Sequence, residues 1–127
     1  KYMKKYKSNW RNMSESKVYS FIGLARKAGS VIVGEALSEK AIKQRKAYLV
    51  LIALDASENT AKKVKTALFN SNIPVLRFGT KEKLGQILGK SFISVLSITD
   101  KGFSNKLQEM IDDINNNNST HGGGVFD

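Results

Sequence analysis

The chain has 127 residues, of which 41% are hydrophobic and 25% charged, and this composition suffices for one modest globular domain. Lysine and arginine total 21 against 11 aspartate and glutamate, and a net charge of +10 is typical of proteins that bind nucleic acid or another anionic surface. The absence of cysteine excludes a disulfide framework, a thiol nucleophile and a cysteine-based metal site, and the single histidine lies in an asparagine- and glycine-rich C-terminal segment.

Three segments are expected along the chain. They are a basic flexible arm over residues 1–13, a folded domain over residues 14–114 and a disordered tail over residues 115–127. The arm carries five basic and no acidic side chains. No run of about 18 apolar residues occurs and the basic start lacks the apolar part of a secretory signal, so we expect a cytoplasmic protein without a membrane partner.

The folded domain begins with a predicted helix, for which Ser14 is the expected N-cap. Apolar residues then recur at helical spacing, and Gly29 is expected to end the helix as a C-cap glycine. A short β-branched strand over residues 30–33 leads into Gly34. The buried face of the helix is expected to comprise Val18, Phe21, Ile22, Ala25 and Ala28.

The stretch over residues 34–57 combines a second helix with the most apolar run of the chain. Residues 48–53 are continuously apolar and too short for a surface helix, so we predict a strand covered on both faces. The glycine before the helix allows a ligand to approach the backbone, and unpaired N–H groups in the first turn favour anionic partners such as nucleic acid. The helix is predicted to pack through Leu37, Ala41 and Ile42 and to expose Lys40, Lys43 and Lys46.

Helices and strands continue to alternate after residue 57. Ser57 and Thr80 are the expected N-caps of the next two helices, and strands are predicted over residues 75–78 and 92–99. A last helix over residues 103–114 is expected to bury Leu107, Met110, Ile111 and Ile114. The alternation predicts an α/β domain in which helices cover both faces of a sheet of about four strands.

Three features invite a catalytic interpretation, and none supports one. The run over residues 85–91 resembles a phosphate-binding loop, but its glycine spacing is one residue short and it follows a helix rather than a strand. Asp55 and Asp100 stand at strand ends, where aspartates more often form turns and helix caps. The folded part offers no histidine, cysteine or carboxylate pair for a metal site or an activated nucleophile. We therefore expect a binding protein with no catalytic residue, metal, cofactor or small-molecule substrate.

Short motifs occur in a fixed order along residues 16–114. They are Gly34, Lys40-Ala41, the run LVLIALDAS, Ile73-Pro74, Leu84-Gly85, Gly89-Lys90 and Ile98-Thr99-Asp100-Lys101-Gly102-Phe103. This ordered set resembles the superfamily of kink-turn RNA-binding ribosomal proteins represented by L7Ae and L30e, and most of all its small bacterial YlxQ-like members. The resemblance implies a three-layer α-β-α sandwich with a central mixed four-stranded sheet. It also implies a non-catalytic, monomeric protein that binds structured RNA, either ribosomal RNA or another kink-turn RNA.

The resemblance further implies an RNA-binding site made of two segments. The helix that begins near Gly34 enters the major groove at the kink, and a loop before the last strand covers an extruded base. We expect Phe92 to be a core residue and assign the base contact to Lys90, Ser91 and Ile93 as a group. The candidate RNA-binding residues are Gly34, Glu35, Ala36, Leu37, Lys40, Lys43, Lys90, Ser91, Phe92 and Ile93.

One departure from the pattern concerns the second helix. The archaeal proteins have Asn and Glu two and three residues after the glycine, where this chain has Ala36 and Leu37. The side-chain recognition of guanines is therefore not preserved, and Glu35, which suits the positive end of the helix dipole, does not simply replace it. Two alternatives stay open. They are a protein-interaction module with weak or no specific RNA binding, and a substrate-recruiting domain of a methyltransferase whose catalytic part is absent from these residues.

Overall fold

The computed structural model describes the backbone of residues 2–123 and the side chains of residues 13–116. Helices and strands alternate throughout this part of the chain, as the sequence predicts. The elements are α1 (Tyr2–Lys27), β1 (Val31–Val33), α2 (Glu35–Lys43), β2 (Leu49–Ile52), α3 (Glu58–Ala67), β3 (Val75–Arg77), α4 (Lys81–Leu88), β4 (Val95–Ile98) and α5 (Lys101–Gly123).

The four strands form one mixed sheet in the order β1-β4-β2-β3. Strand β4 pairs antiparallel with both β1 and β2, whereas β2 pairs parallel with β3. Helices α1, α4 and α5 pack on one face of this sheet and helices α2 and α3 on the other. The three-layer α-β-α sandwich with a mixed four-stranded sheet is thereby confirmed.

The two central strands are buried along their whole length because helices cover both of their faces. In β2, Leu49 and Leu51 join the apolar cluster under α1, α4 and α5, whereas Val50 and Ile52 join the cluster under α2 and α3. This two-sided burial explains why the run is continuously apolar instead of alternating with polar residues.

Local capping signals fix several helix ends as predicted. The Ser57 hydroxyl accepts a hydrogen bond from the N–H of Thr60 at 3.2 Å, and the Thr80 hydroxyl accepts one from the N–H of Lys83 at 3.2 Å. Gly29 follows α1 with a φ of 77°, the left-handed conformation typical of a C-cap glycine. These caps set where α3 and α4 begin and where α1 ends.

Both terminal helices are longer than predicted. Helix α1 begins at Tyr2 rather than after Ser14, and α5 extends to Gly123 rather than ending at Ile114. Neither extension contains a proline, so no residue in them forces the helix to end where the sequence predicted. The side chains of the predicted flexible arm and disordered tail lie mostly outside the described residues. The flexibility of the arm and the disorder of the tail therefore stay predictions.

On α1 and α2, two residues that we predicted to be buried are exposed. Leu37 is 57% exposed, and Ala28 lies past the last buried turn of α1. On α2 the buried residues are Ser38, Ala41 and Ile42, so the helix is rotated by one position from the predicted orientation. Ser38 and Leu37 precede Ala41 by three and four residues, and both spacings fit one helical face.

Candidate nucleic-acid interface

The pairing of the strands brings the two predicted site segments to one end of the sheet. Gly34 follows β1, and its N–H donates to the carbonyl of Val95, the first residue of β4, at 2.9 Å. On the other side of β4, the N–H of Ala53 donates to the carbonyl of Ser94 at 2.8 Å. Residues 34–37 therefore lie next to the loop that leads into β4. We call this end of the molecule, formed by residues 34–37, 53–55 and 89–94, the Gly34 pole.

Gly34 has a backbone conformation that residues with a side chain rarely adopt. It has a φ of 107° and a ψ of 158°, and it is the N-cap of α2 without a side-chain cap. A Cβ atom built on it meets no atom within 4 Å, so the space in front of the backbone is open. The first intrahelical hydrogen bond runs from the N–H of Ser38 to the carbonyl of Gly34 at 3.0 Å. The three preceding N–H groups of the helix are therefore available to an acceptor on a ligand.

Glu35 is bound to the neighbouring helix rather than extended from the pole. Its Oε2 accepts a hydrogen bond from the Thr60 hydroxyl at 3.3 Å, and its Oε1 lies 3.6 Å from Lys63 Nζ. The carboxylate thus ties α2 to α3 while it sits at the positive end of the helix dipole. The next two residues, Ala36 and Leu37, are exposed. The first turn of α2 consequently presents backbone donors and apolar side chains.

Lys40 and Lys43 are exposed on α2, but they differ in their distance from the pole. They lie five and eight residues after Glu35, and a helical rise of about 1.5 Å per residue places them about 7.5 and 12 Å along the axis. Lys43 is the last residue of α2 and lies towards the opposite end of the sheet. The structure therefore brings Lys40 closer to the site than Lys43.

The loop between α4 and β4 is anchored at both ends. Gly89 ends α4 in the left-handed conformation with a φ of 72°, and the N–H of Lys90 donates to the carbonyl of Gly85 at 2.8 Å. Three residues later the N–H of Ile93 donates to the carbonyl of Lys81 at 3.0 Å. A Cβ atom on Gly85 would lie 2.5 Å from the carbonyl oxygen of Ser91, so only glycine allows the loop to pack this closely on α4. Backbone hydrogen bonds and close packing on α4 thus hold the loop at both of its ends.

Our prediction for Phe92 and Ile93 is wrong, because the two residues have exchanged roles. Phe92 is 67% exposed, whereas Ile93 is 3% exposed and belongs to the core cluster under α1, α4 and α5. The reason is the hydrogen bond from Ile93 to Lys81, which turns the Ile93 side chain inward before β4 begins at Val95. Ile93 is not available for a base contact. The exposed side chains of the loop are those of Lys90, Ser91 and Phe92.

Two further residues at this pole are not among the candidate RNA-binding residues. Leu54 is 62% exposed just after β2, where its N–H donates to the carbonyl of Gly79 at 2.8 Å. Arg26 lies beside the loop, since a Cβ atom built on Gly89 would be 3.2 Å from its Nη1. Leu54 could have been found from the sequence, because it continues the apolar run of β2 beyond the end of the strand. Nothing in the sequence connects Arg26 to the loop. Exposed apolar side chains beside cations are typical of a binding surface.

The two aspartates at strand ends are structural. Asp55 Oδ1 accepts a hydrogen bond from the N–H of Lys81 at 2.9 Å, and Asp100 Oδ2 accepts one from the N–H of Phe103 at 2.8 Å. Each carboxylate therefore caps the start of a helix. Among the residues that the structure describes, no three histidine, cysteine, aspartate or glutamate side chains are grouped to hold a metal ion. Within that same part of the chain, no helix has the length and apolar character to cross a membrane.

Comparison with known proteins identifies the family of this chain. The sequence profile of the ribosomal protein L7Ae/L30e/S12e/Gadd45 family matches residues 16–108. The chain is 39% identical over 100 residues to the RNA-binding protein YlxQ of Bacillus subtilis, which covers 79% of this chain and 100% of that protein. It is 31% identical over 86 residues to the large ribosomal subunit protein eL30 of Sulfurisphaera tokodaii, which covers 66% of this chain and 81% of that protein.

Solved structures agree with this match. A protein of unknown function from Bacillus halodurans superimposes with a TM-score of 0.72 at 35% identity, covering 76% of this chain and 97% of that one. The 15.5 kD RNA-binding protein of Giardia lamblia has a TM-score of 0.66 at 21% identity, covering 81% of this chain and 88% of that one, a likeness of fold alone. The profile match over most of the folded domain and the identity to YlxQ establish that the chain belongs to the ribosomal protein L7Ae/L30e/S12e/Gadd45 family.

Proposed function

We propose that this protein binds structured RNA at the Gly34 pole and has no catalytic activity. One observation carries the proposal: an open helix N-terminus and an anchored loop with an exposed aromatic ring lie against the same strand end. The net charge of +10 favours association with the phosphate backbone. The relative from Bacillus subtilis is named an RNA-binding protein, which supports the same assignment.

The RNA that best suits this surface is a kink-turn or a similarly kinked helix with an internal loop. A straight duplex keeps its bases stacked, whereas a kink exposes a base that can pack against apolar side chains. Phe92, Leu37 and Leu54 offer such side chains at one end of the molecule. The backbone N–H groups after Gly34 can donate to phosphate or base acceptors at the kink.

The departure at Ala36 and Leu37 defines how this recognition differs from that of the archaeal proteins. Neither side chain can form hydrogen bonds to base edges, and the Glu35 carboxylate is engaged with Thr60 and Lys63. Recognition then relies on backbone donors, on apolar contact and on the shape of the RNA. We therefore expect selectivity for a kink with less dependence on the base sequence beside it.

A ribosomal RNA target, a cytoplasmic location and a monomeric state complete the proposal. The ribosomal target rests on the similarity to a protein named as part of the large ribosomal subunit. The test is a gel-shift series with a kink-turn RNA and a straight duplex of equal length at several salt concentrations. We expect tighter binding of the kinked RNA at every salt concentration. Equal affinities would contradict kink recognition, and no binding to either RNA would favour a protein-interaction module.

A further inference from the structure

The end of the sandwich opposite the Gly34 pole carries two adjoining concavities. Their volumes are about 420 and 520 Å³, and Ala47, Asn72 and Ile73 line both. They lie where α2 ends, where β2 and β3 begin and where α5 starts. We call this surface the Phe69 groove. Its principal side chains are Arg45, Tyr48, Phe69, Asn70, Asn72 and Lys101.

The groove combines cations with exposed aromatic rings. Phe69 is 78% exposed and Tyr48 is 47% exposed, although both belong to residue types that usually bury most of their surface. Lys43, Arg45 and Lys101 supply positive charge, and no aspartate or glutamate occurs among the described residues that line the two concavities. The acid nearest in sequence, Asp100, points its carboxylate at the N–H groups of α5. Aromatic platforms in a positively charged groove are the features by which proteins bind single-stranded nucleic acid.

The backbone of the groove contains an unusual residue. Arg45 has a φ of 59°, a conformation in which glycine is the preferred residue. Its N–H donates to the carbonyl of Ile42 at 3.1 Å, and the N–H of Lys46 donates to the carbonyl of Ala41 at 2.9 Å. This is the hydrogen-bonding pattern of a Schellman motif, with arginine at the position that glycine normally takes. A strained arginine at the rim of a concavity points to a role for its guanidinium group.

The groove offers room and polar groups as well as charge. Both concavities are open to solvent, and each is large enough for one unstacked base to lie in it. Asn70 and Asn72 stand in the loop after α3 and can form hydrogen bonds with base edges. Strand β2 has four residues, so the groove lies at least about 13 Å from the Gly34 pole. The two surfaces can therefore be occupied independently.

We propose that the Phe69 groove is a second RNA site, which binds a single-stranded segment. Phe69 and Tyr48 stack on successive bases, and Arg45 and Lys101 contact the phosphates between them. This site requires neither a kink nor any residue of the Gly34 pole. Binding of single-stranded RNA at the groove is therefore independent of kinked-RNA binding at the Gly34 pole.

The test uses two fluorescent RNA probes in anisotropy titrations of the full chain. One is an oligouridine of about ten nucleotides, within the range of about 4 to 16 that single-strand sites cover. The other is a blunt-ended kink-turn RNA without single-stranded extensions. The variants are Phe69→Ala and Arg45→Gly, and the matched controls are Leu24→Ala on the exposed face of α1 and Lys65→Ala on the exposed face of α3.

We expect the wild-type protein to bind oligouridine and Phe69→Ala to weaken that binding by about 5-fold or more. Arg45→Gly should lower the slope of log affinity against log salt by about 0.7, the share of one phosphate contact, without lowering the melting temperature. Both variants should bind the kink-turn RNA as the wild type does. Oligouridine binding should be unchanged by the two control substitutions.

Three results would overturn the proposal. The first is no binding of oligouridine by the wild-type protein. The second is a loss of oligouridine affinity that is equal in the groove variants and in the controls. The third is tight binding of polyglutamate that depends on Arg45 but not on Phe69, because that result identifies an acidic protein segment as the occupant. Failure of the wild type to prefer kinked RNA would affect only the Gly34 pole.

Discussion

The exchange of roles between Phe92 and Ile93 leads to our most specific prediction. Substituting each residue by alanine should affect two different properties of the protein. Ile93 is 3% exposed, so Ile93→Ala should lower the free energy of unfolding by about 2 to 5 kcal/mol, as buried isoleucines do. Phe92 is 67% exposed and buries about a third of a side-chain surface of roughly 200 Å². At about 25 cal/mol per Å², and allowing for the compact unfolded chain, Phe92→Ala should cost about 1 kcal/mol.

In RNA binding the order should be reversed, with Phe92→Ala more impaired than Ile93→Ala. A base stacked on an aromatic ring contributes about 1 to 3 kcal/mol, so Phe92→Ala should reduce the affinity for kinked RNA by about 5-fold to 150-fold. The affinity for a straight duplex should hardly change, because a duplex offers no unstacked base. Ile93→Ala should retain the preference for kinked RNA at temperatures where it is folded.

The assays are urea denaturation followed by circular dichroism and anisotropy titration with the two RNAs. The protein should be kept well below its melting temperature so that both variants are folded during binding. A Phe92→Ala variant that loses more than about 3 kcal/mol of stability would refute the burial argument. A Phe92→Ala variant with normal stability and an unchanged preference for kinked RNA would refute the base contact.

Three further predictions concern charge and one buried hydroxyl. Lys40→Ala should weaken the binding of kinked RNA and reduce the salt slope by about 1 while the urea midpoint stays constant, since the side chain is exposed. Lys43→Ala should have the smaller effect because Lys43 lies at the far end of α2, and unaltered affinity of the double variant would exclude α2 from the site. Deletion of residues 1–13 should lower affinity for kinked and straight RNA by similar factors, because phosphate contacts carry little sequence information, and a selective loss for kinked RNA would contradict this. The Tyr19 hydroxyl accepts a hydrogen bond from the N–H of Thr80 at 3.2 Å, and burial raises the pKa of Tyr19 above 10.0. The stability that the neutral Tyr19 hydroxyl contributes is therefore present below the pKa of the unfolded state and is lost as the pH rises through the pKa of the folded state. Above about pH 10 the urea midpoint should then fall less in Tyr19→Phe than in the wild type. An identical fall in both proteins would contradict this prediction.

Local signals in the sequence are sufficient to predict most of the fold. The hydroxyl caps at Ser57 and Thr80 depend on groups only three residues away, and the structure contains both. The run that becomes β2 is recognisable because burial on two faces leaves no polar alternation. These features need no knowledge of the neighbouring elements, which is why periodicity and capping predict them.

Orientation and long-range contacts could not be predicted in this way. Alternation along residues 92–96 fits either face of the sheet, and the deciding contact is the hydrogen bond from Ile93 to Lys81, made by a preceding helix. The rotation of α2 that exposes Leu37 and buries Ser38 results from the packing of this helix on β1 and β4. The juxtaposition of Arg26 with Gly89 likewise results from the packing of α1 on α4.

The same limit applies to the candidate site. The sequence places Gly34 before a helix and Lys90 in a loop, but their meeting at one end requires the antiparallel pairing of β1 with β4. The strand order also places Arg45 and Phe69 together at the opposite end, although 24 positions separate them in the sequence. Surfaces made by distant segments become visible only once the sheet topology is known.

The central claim is that kinked RNA binds at the Gly34 pole, and amide NMR spectra test it most directly. Blunt-ended kink-turn RNA is added to the isotopically labelled chain, and the shift of every amide signal is followed. We expect the largest changes at the amides of residues 34–37 and 90–93, with little change at residues 45–48. A straight duplex of equal length should cause smaller changes at residues 90–93. Maximal changes elsewhere, or the same pattern with both RNAs, would contradict the account.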